Sequence, residues 1–184
     1  MKHLIAPLFI LLAFVMTSCG PSVPPWQPAT EFPLLKSDGT VLSGKTQSIS
    51  ITGISDDIEI LVLNFFAPKC PPCIEELPEL KEIAKIISST DKVSFYAIGS
   101  TLNSLDNPKP PTQEEMVEEL LEFIDFYKID YPVYLAESHK LQDFGITGFP
   151  ETIILYRDKE RKWYVKRKYV SRINLNNILD FIKL

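Results

Sequence analysis

The sequence predicts an α/β domain in which a mixed central sheet is flanked by helices on both sides and preceded by an N-terminal hairpin. Three observations carry this. The run "EILVLNFF" at 59–66 is almost continuously apolar and rich in strand formers, as a central strand covered on both faces must be. Helix-period and strand-period stretches then alternate from 71 to 135. The last third reads as a strand hairpin closed by an amphipathic helix.

Each element has a local reason. In "FPLLKSDGTVLS", Asp38-Gly39 is a tight-turn dipeptide between two apolar stretches and predicts the hairpin, and "SISI" at 48–51 adds a short strand. After the central strand, Ile74, Leu77, Ile83, Ala84 and Ile87 recur at helical spacing, with Pro71 and Pro72 in the first turn, where a missing N–H costs little. Pro78 inside that helix removes the bond to the carbonyl of Ile74 and is expected to kink it. "KVSFYAIGS" at 92–100 is the next strand. A proline-rich loop over 101–111 leads to Thr112, which forms a capping-box pattern with Glu115 for a helix whose apolar face is Val117, Leu120, Leu121 and Ile124. "YPVYL" at 131–135 is a strand, a helical turn is expected at 140–144, and another strand starts after Pro150. A turn near 158–161 closes the final hairpin, and Leu175, Ile178, Leu179 and Ile182 mark the last helix.

The folded unit is expected to begin near Glu31. Before it, Lys2 precedes a 13-residue, mainly apolar run from Leu4 to Met16, short of the roughly 20 residues of a membrane span and shaped like a signal peptide over 1–18. The stretch Met16-Thr17-Ser18-Cys19 resembles a bacterial lipoprotein box, and that resemblance makes Cys19 the lipid-bearing first residue of the mature chain. "GPSVPPWQPAT" places four prolines in eleven residues and reads, with Cys19, as a semi-rigid tether over 19–30. This gives one domain at 31–184, anchored through lipid outside the cytoplasm. A net charge of −5 argues against nucleic acid as a partner, because that binding is driven by Lys and Arg neutralising phosphates.

With Cys19 acylated, the other two of the three cysteines, Cys70 and Cys73, remain to form one disulfide in an oxidising compartment. They sit where a buried strand meets a helix. Cys70 falls at the N-cap and Cys73 in the first turn, so free backbone N–H groups and the helix dipole favour a thiolate, and Lys69 adds positive charge. A zinc site lacks ligands, since the mature chain offers beyond these thiols only His139, read as a surface residue. A purely structural bridge of so short a span would stabilise weakly. Glu76, three residues beyond Cys73, lies on the same side of the helix, and a carboxylate there can take or return a proton during exchange. Equally, Glu75 and Glu76 can simply complement the helix N-terminus. The hairpin carries seven Lys or Arg between Arg157 and Lys168, which could dock an acidic partner or an anionic membrane surface but reads first as a solvated edge that discourages strand pairing.

"LVLNFFAPKCPPCIEELPEL" together with "FGITGFPETIIL" resembles the thioredoxin superfamily, specifically its membrane-tethered extracytoplasmic branch of the TlpA, ResA and CcmG/DsbE type, over 31–184. The resemblance implies a thioredoxin-like fold with a central strand-helix insertion around 101–135. It implies a redox-active Cys70–Cys73 disulfide, Glu76 as the branch's acidic residue, Pro150 as a cis-proline facing the dithiol, and the backbone at Phe149 as the site that pairs with substrate. Asn64 and Thr152 match as well; cytoplasmic thioredoxins place an aspartate where Asn64 stands. Lys69 departs from the usual tryptophan, and the loop at 101–111 is longer and richer in proline than the branch leads one to expect. The implied activity is a protein-disulfide reductase, with no cofactor or metal, that acts as a monomer on a disulfide-containing client, draws electrons from a membrane thiol donor, and serves c-type cytochrome maturation. Two other activities stay open: a disulfide oxidase or isomerase using the same site, and a non-catalytic metallochaperone or client-binding module. The two-residue spacing of the cysteines argues against a copper chaperone of the related Sco type.

Overall fold

The computed structural model describes residues 31–35, 41–42, 48–50, 54–101, 111–136, 138–141 and 144–182. The signal peptide, Cys19, the tether and most of the proline-rich loop lie outside these residues, as does the side chain of His139.

Among the described residues, eight strands form one mixed sheet: β1 (Glu31–Leu35), β2 (Val41–Leu42), β3 (Ser48–Ser50), β4 (Ile60–Phe66), β5 (Val93–Gly99), β6 (Val133–Leu135), β7 (Glu151–Arg157) and β8 (Trp163–Val170). Their order is β2-β1-β6-β5-β4-β7-β8, with β3 also paired to β1. The N-terminal hairpin forms as expected, through Leu34 opposite Leu42 and Leu35 opposite Val41. β4 is central, parallel to β5 and antiparallel to β7, and all seven of its residues are buried. That burial on both faces is why it reads as an unbroken apolar run rather than an alternation.

Among the described residues, four helices join the strands: α1 (Pro71–Ile87), α2 (Gln113–Tyr127), the short α3 (Ser138–Leu141) and α4 (Leu175–Ile182). One sheet face, carrying Ile60, Val62 and Phe66 of β4, packs against Leu77, Leu80 and Ile83 of α1, Leu120 and Phe123 of α2 and Ile178 of α4. The other, carrying Leu61, Leu63 and Phe65, packs against Leu141, Phe144 and Ile146. α1 runs without a break through Pro78. The α2 capping box is present: Glu115 N donates to Thr112 Oγ1 at 3.2 Å and Thr112 N to Glu115 Oε2 at 2.8 Å. The insertion supplies α2 and then β6, which takes a place in the sheet between β1 and β5. The helical turn expected at 140–144 begins two residues earlier, at Ser138.

α2 reaches the sheet only because β5 ends in glycine. A Cβ on Gly99 would stand 2.5 Å from Leu120 Cδ2 and 3.1 Å from Phe66 Cζ. Leu120 is fully buried and has nowhere to move. Gly99→Ala is therefore expected to destabilise the fold by about 1–3 kcal/mol, read as a lower urea midpoint; an unchanged midpoint would contradict this packing.

Candidate active site

β4 delivers the chain through Ala67 to the start of α1, and Cys70 becomes its N-cap with Pro71 and Pro72 behind it. Cys70 and Cys73 are joined by a disulfide, with their Cα atoms 5.2 Å apart. Cys73 N donates to Cys70 Sγ at 3.3 Å. This is a free N–H of the first helical turn directed at sulfur, the arrangement that stabilises a thiolate at Cys70 once the bond is reduced. Lys69 contributes less than its sequence position implies: it is 73% exposed and its ammonium lies 3.5 Å from Glu119 on α2.

Opposite the pair stands the loop that ends in Pro150. The Phe149–Pro150 peptide is cis, and Phe149 O is 3.5 Å from Cys70 Sγ. The cysteines, Phe149 and Pro150, distant in sequence, thus meet at one end of the sheet. A cleft of about 720 Å³ runs beside them, lined by Pro72, Glu76, Phe149, Pro150, Arg172 and Asn174 among others.

Glu76 sits one turn beyond Cys73 and is only 2% exposed. Its Oε1 accepts from Asn64 Nδ2 at 3.0 Å and its Oε2 accepts from Ile173 N at 3.2 Å. Asn64, fully buried on β4, donates a second bond to Thr152 Oγ1 on β7, also at 3.0 Å, across a register that sets the two residues opposite each other. Burial raises the Glu76 carboxyl from its ordinary value of 4.5 to about 7, against the opposing pull of Asn64, Ile173 and Arg172. Glu76 therefore does not act as a surface charge that complements the helix N-terminus. Glu75, by contrast, is exposed and pairs with Arg172 at 2.6 Å.

Two groups of contacts were not anticipated. Glu79 accepts from Leu175 N, capping the first residue of α4 from another helix. Glu151 is completely buried, and its Oε1 accepts from Thr147 N at 2.9 Å, from Gly148 N at 3.1 Å and from the Thr147 hydroxyl. Lys168 Nζ stands 2.7 Å from Glu151 Oε2, an ionic contact without the direction of a hydrogen bond, and also donates to Gly145 O. One carboxylate thus holds the loop leading to Phe149. The signal available in "FPETII" was an acidic residue opening an otherwise apolar strand. Lys168 belongs to the basic hairpin, so that hairpin is not only a solvated edge. Arg157 leaves it too, with its guanidinium 4.4 Å from the Trp163 ring centre. Among the described residues, no group of three or more His, Cys, Asp or Glu side chains is placed to hold a metal ion.

The raised Glu76 carboxyl makes stability depend on pH. Between 4.5 and about 7 the folded chain keeps a proton that the unfolded chain has lost. The stabilisation is complete below the lower value and disappears as pH rises through the upper one, about 3 kcal/mol in all. Glu76→Gln removes this component. In urea titrations of the oxidised protein, the variant's stability is expected to fall less between pH 5 and pH 8 than the wild type's; parallel pH profiles would contradict the buried carboxyl.

Comparison with known proteins agrees with this geometry. No protein-family model matches the chain. The thioredoxin-like protein YneN of Bacillus subtilis is 25% identical over 95 residues, 52% of this chain, and the chain spans about half, 49%, of that relative's length. Among solved structures, StoA of Bacillus subtilis superposes with a TM-score of 0.57 at 19% identity, covering 86% of this chain and all of StoA. A thioredoxin-family thiol:disulfide interchange protein of Chlorobium tepidum gives 0.56 at 22% identity, with 88% and 97% of the two chains covered. The protein thus has a thioredoxin-like fold, with the Cys70–Cys73 disulfide at the start of the helix that follows its central strand.

Proposed function

We propose that the protein is a thiol-disulfide oxidoreductase that reduces disulfides in client proteins. The observation that carries this reading is the juxtaposition at one sheet end of a disulfide at a helix N-terminus, a backbone carbonyl facing its first sulfur, and a buried carboxyl poised near neutral pH. The thioredoxin-like relative and the interchange protein of the same fold support it.

In the reduced state the Cys70 thiolate, stabilised by the helix N-terminus, attacks one sulfur of the client disulfide. A Cys70–client bond forms, the client bond breaks, and the released client thiolate takes a proton from water. The extended client segment pairs with the backbone at Phe149. Cys73 then gives its proton to the Glu76 carboxylate, and the thiolate so formed attacks Cys70 Sγ. The Cys70–Cys73 bond forms, the mixed disulfide breaks, and the second client sulfur leaves as a thiolate. Two electrons have passed to the client. A carboxyl titrating near 7 suits this step, because it is a base strong enough to take the proton and an acid weak enough to return it during re-reduction.

The lipoprotein-like N-terminal pattern supports a reading in which this chemistry runs outside the cytoplasmic membrane, on a lipid at Cys19. There a reductant needs its own electron supply, which we assign to a membrane thiol relay. Among clients, c-type cytochrome precursors fit by chemistry, because their haem-binding cysteines must be reduced.

Cys73→Ser separates exchange from simple binding. The variant is expected to accumulate a reductant-sensitive adduct between Cys70 and a disulfide-bearing protein while losing more than about 100-fold in turnover, since the resolving thiol is gone. Recovery of the client without any covalent adduct would overturn the reading.

A further inference from the structure

The hydrogen bonds around Glu76 satisfy only one of the two protonation states that the proposed mechanism needs. With Glu76 ionised, Asn64 Nδ2 donates to its Oε1 and Ile173 N to its Oε2, and Asn64 also donates to Thr152 Oγ1. Both hydrogens of the amide are used. Its oxygen is buried and has no hydrogen-bond partner among the described residues. A buried carbonyl left unpaired is a cost, and in a fully enclosed side chain it calls for a reason.

The second state supplies one. When Glu76 takes a proton, Ile173 N–H still faces Oε2 and can only donate, so the hydrogen belongs on Oε1. Oε1 lies 3.0 Å from an NH₂ group, and the new O–H would meet another donor there. A half-turn of the carboxamide removes the conflict. It brings Oδ1 to the place Nδ2 held, where its two lone pairs accept from Glu76 Oε1–H and from the Thr152 hydroxyl, which is itself both donor and acceptor. The two ends of the amide are nearly equal in size, so the turn needs no space.

We infer that the Asn64 side-chain amide reverses with the protonation of Glu76, donating to the carboxylate and accepting from the acid, and so is the positioning residue for the proton that Cys73 gives up. This rests on the exchange mechanism above and adds to it a carrier with a partner in both states. The same two contacts re-form with donor and acceptor exchanged: Glu76 gains the proton from Cys73 and the amide turns, and its NH₂ group takes the place of the unpartnered oxygen, a cost the acid form carries instead of two opposed donors. An aspartate in place of Asn64 could only accept while both carboxyls were ionised, and the two charges would repel. The other groups acting on Glu76 are Arg172 from the β8–α4 connection and Glu79 from its own helix; Tyr131, before β6, lies within its field and is pushed up by burial, keeping its proton.

The test is nuclear magnetic resonance on the full-length, isotope-labelled oxidised chain, following the Asn64 side-chain NH₂ protons, the Asn64 Cγ shift and the Glu76 Cδ shift across pH. Above the Glu76 midpoint, a nuclear Overhauser contact between the Asn64 amide protons and the Thr152 methyl is expected. Below the midpoint it should be lost, with Asn64 Cγ moving as its carbonyl gains partners. Retention of the contact on both sides overturns the inference. A second variant reads the same question through energy. Asn64→Leu removes a partner from both protonation states, so the Glu76 midpoint is expected to rise by less than about half a pH unit, the excess of the bond to the anion over the bond to the acid. Were the amide a fixed donor to the anion alone, its loss would raise the midpoint by about one to two units, which would also overturn the inference. Failure of the underlying mechanism shows elsewhere: if Glu76→Gln leaves the rate of Cys73 attack and its pH profile unchanged, the proton does not go to Glu76, whatever the amide does.

Discussion

A single buried carboxylate holds the working end of this molecule together. Glu76 leaves α1 and enters the space between helix and sheet, where it binds β4 through Asn64 and the β8–α4 connection through Ile173. Burying a charge is expensive unless it is well partnered, and the partners here come from two separated parts of the chain. The first turn of α1 is consequently fixed against both the central strand and the C-terminal helix. Glu75 and Glu79 extend the same seam, one to Arg172 and the other to the first N–H of α4. The dithiol is carried on the helix that this seam fixes.

The facing side of the site depends on a second buried carboxylate, and the two do different work. Glu151 and Thr152 are successive residues of β7 and so point to opposite faces of the sheet. Thr152 joins Asn64 and Glu76 on the α1 side, where protons move. Glu151 turns to the other side, where it binds two backbone N–H groups of the loop before Phe149 and faces Lys168. Its carboxylate shapes the backbone that faces Cys70. Glu76, held by one amide, one backbone N–H and a more distant arginine, titrates near neutrality. The site thus contains one carboxyl that keeps a loop in shape and one able to exchange a proton.

Much of this was legible before any coordinates. β4 announced itself as a continuous apolar run, α2 by its Thr112–Glu115 box, and the cysteines by their place between a buried strand and two helix-starting prolines. These signals are local, so a short window of sequence contains them. What the sequence hid are interactions between distant segments. The Glu76–Ile173 and Glu151–Lys168 contacts depend on how β8 is registered against β7 and on where the chain turns after Val170. A bulge between Ile154 and Leu155 alters that register, and nothing in a local window specifies it. The basic hairpin was legible as charge but not as a neutralising partner, because Lys168 on an edge strand looks like any solvated lysine until Glu151 is placed beside it. The reading of Glu76 as a surface charge like Glu75 failed for a related reason. Adjacent positions on a helix face different ways, and only the packing of α1 shows that one of them points inward.

The account's central claim is that Cys70 and Cys73 form a reducing couple. Its most direct test is the reduction potential of that couple, measured by equilibrating the protein with glutathione or dithiothreitol buffers and quantifying the two redox forms. A value near that of thioredoxin, about −270 mV, is the predicted result. A value near about −120 mV, typical of a dedicated oxidase, would contradict it and reverse the direction in which electrons leave the site.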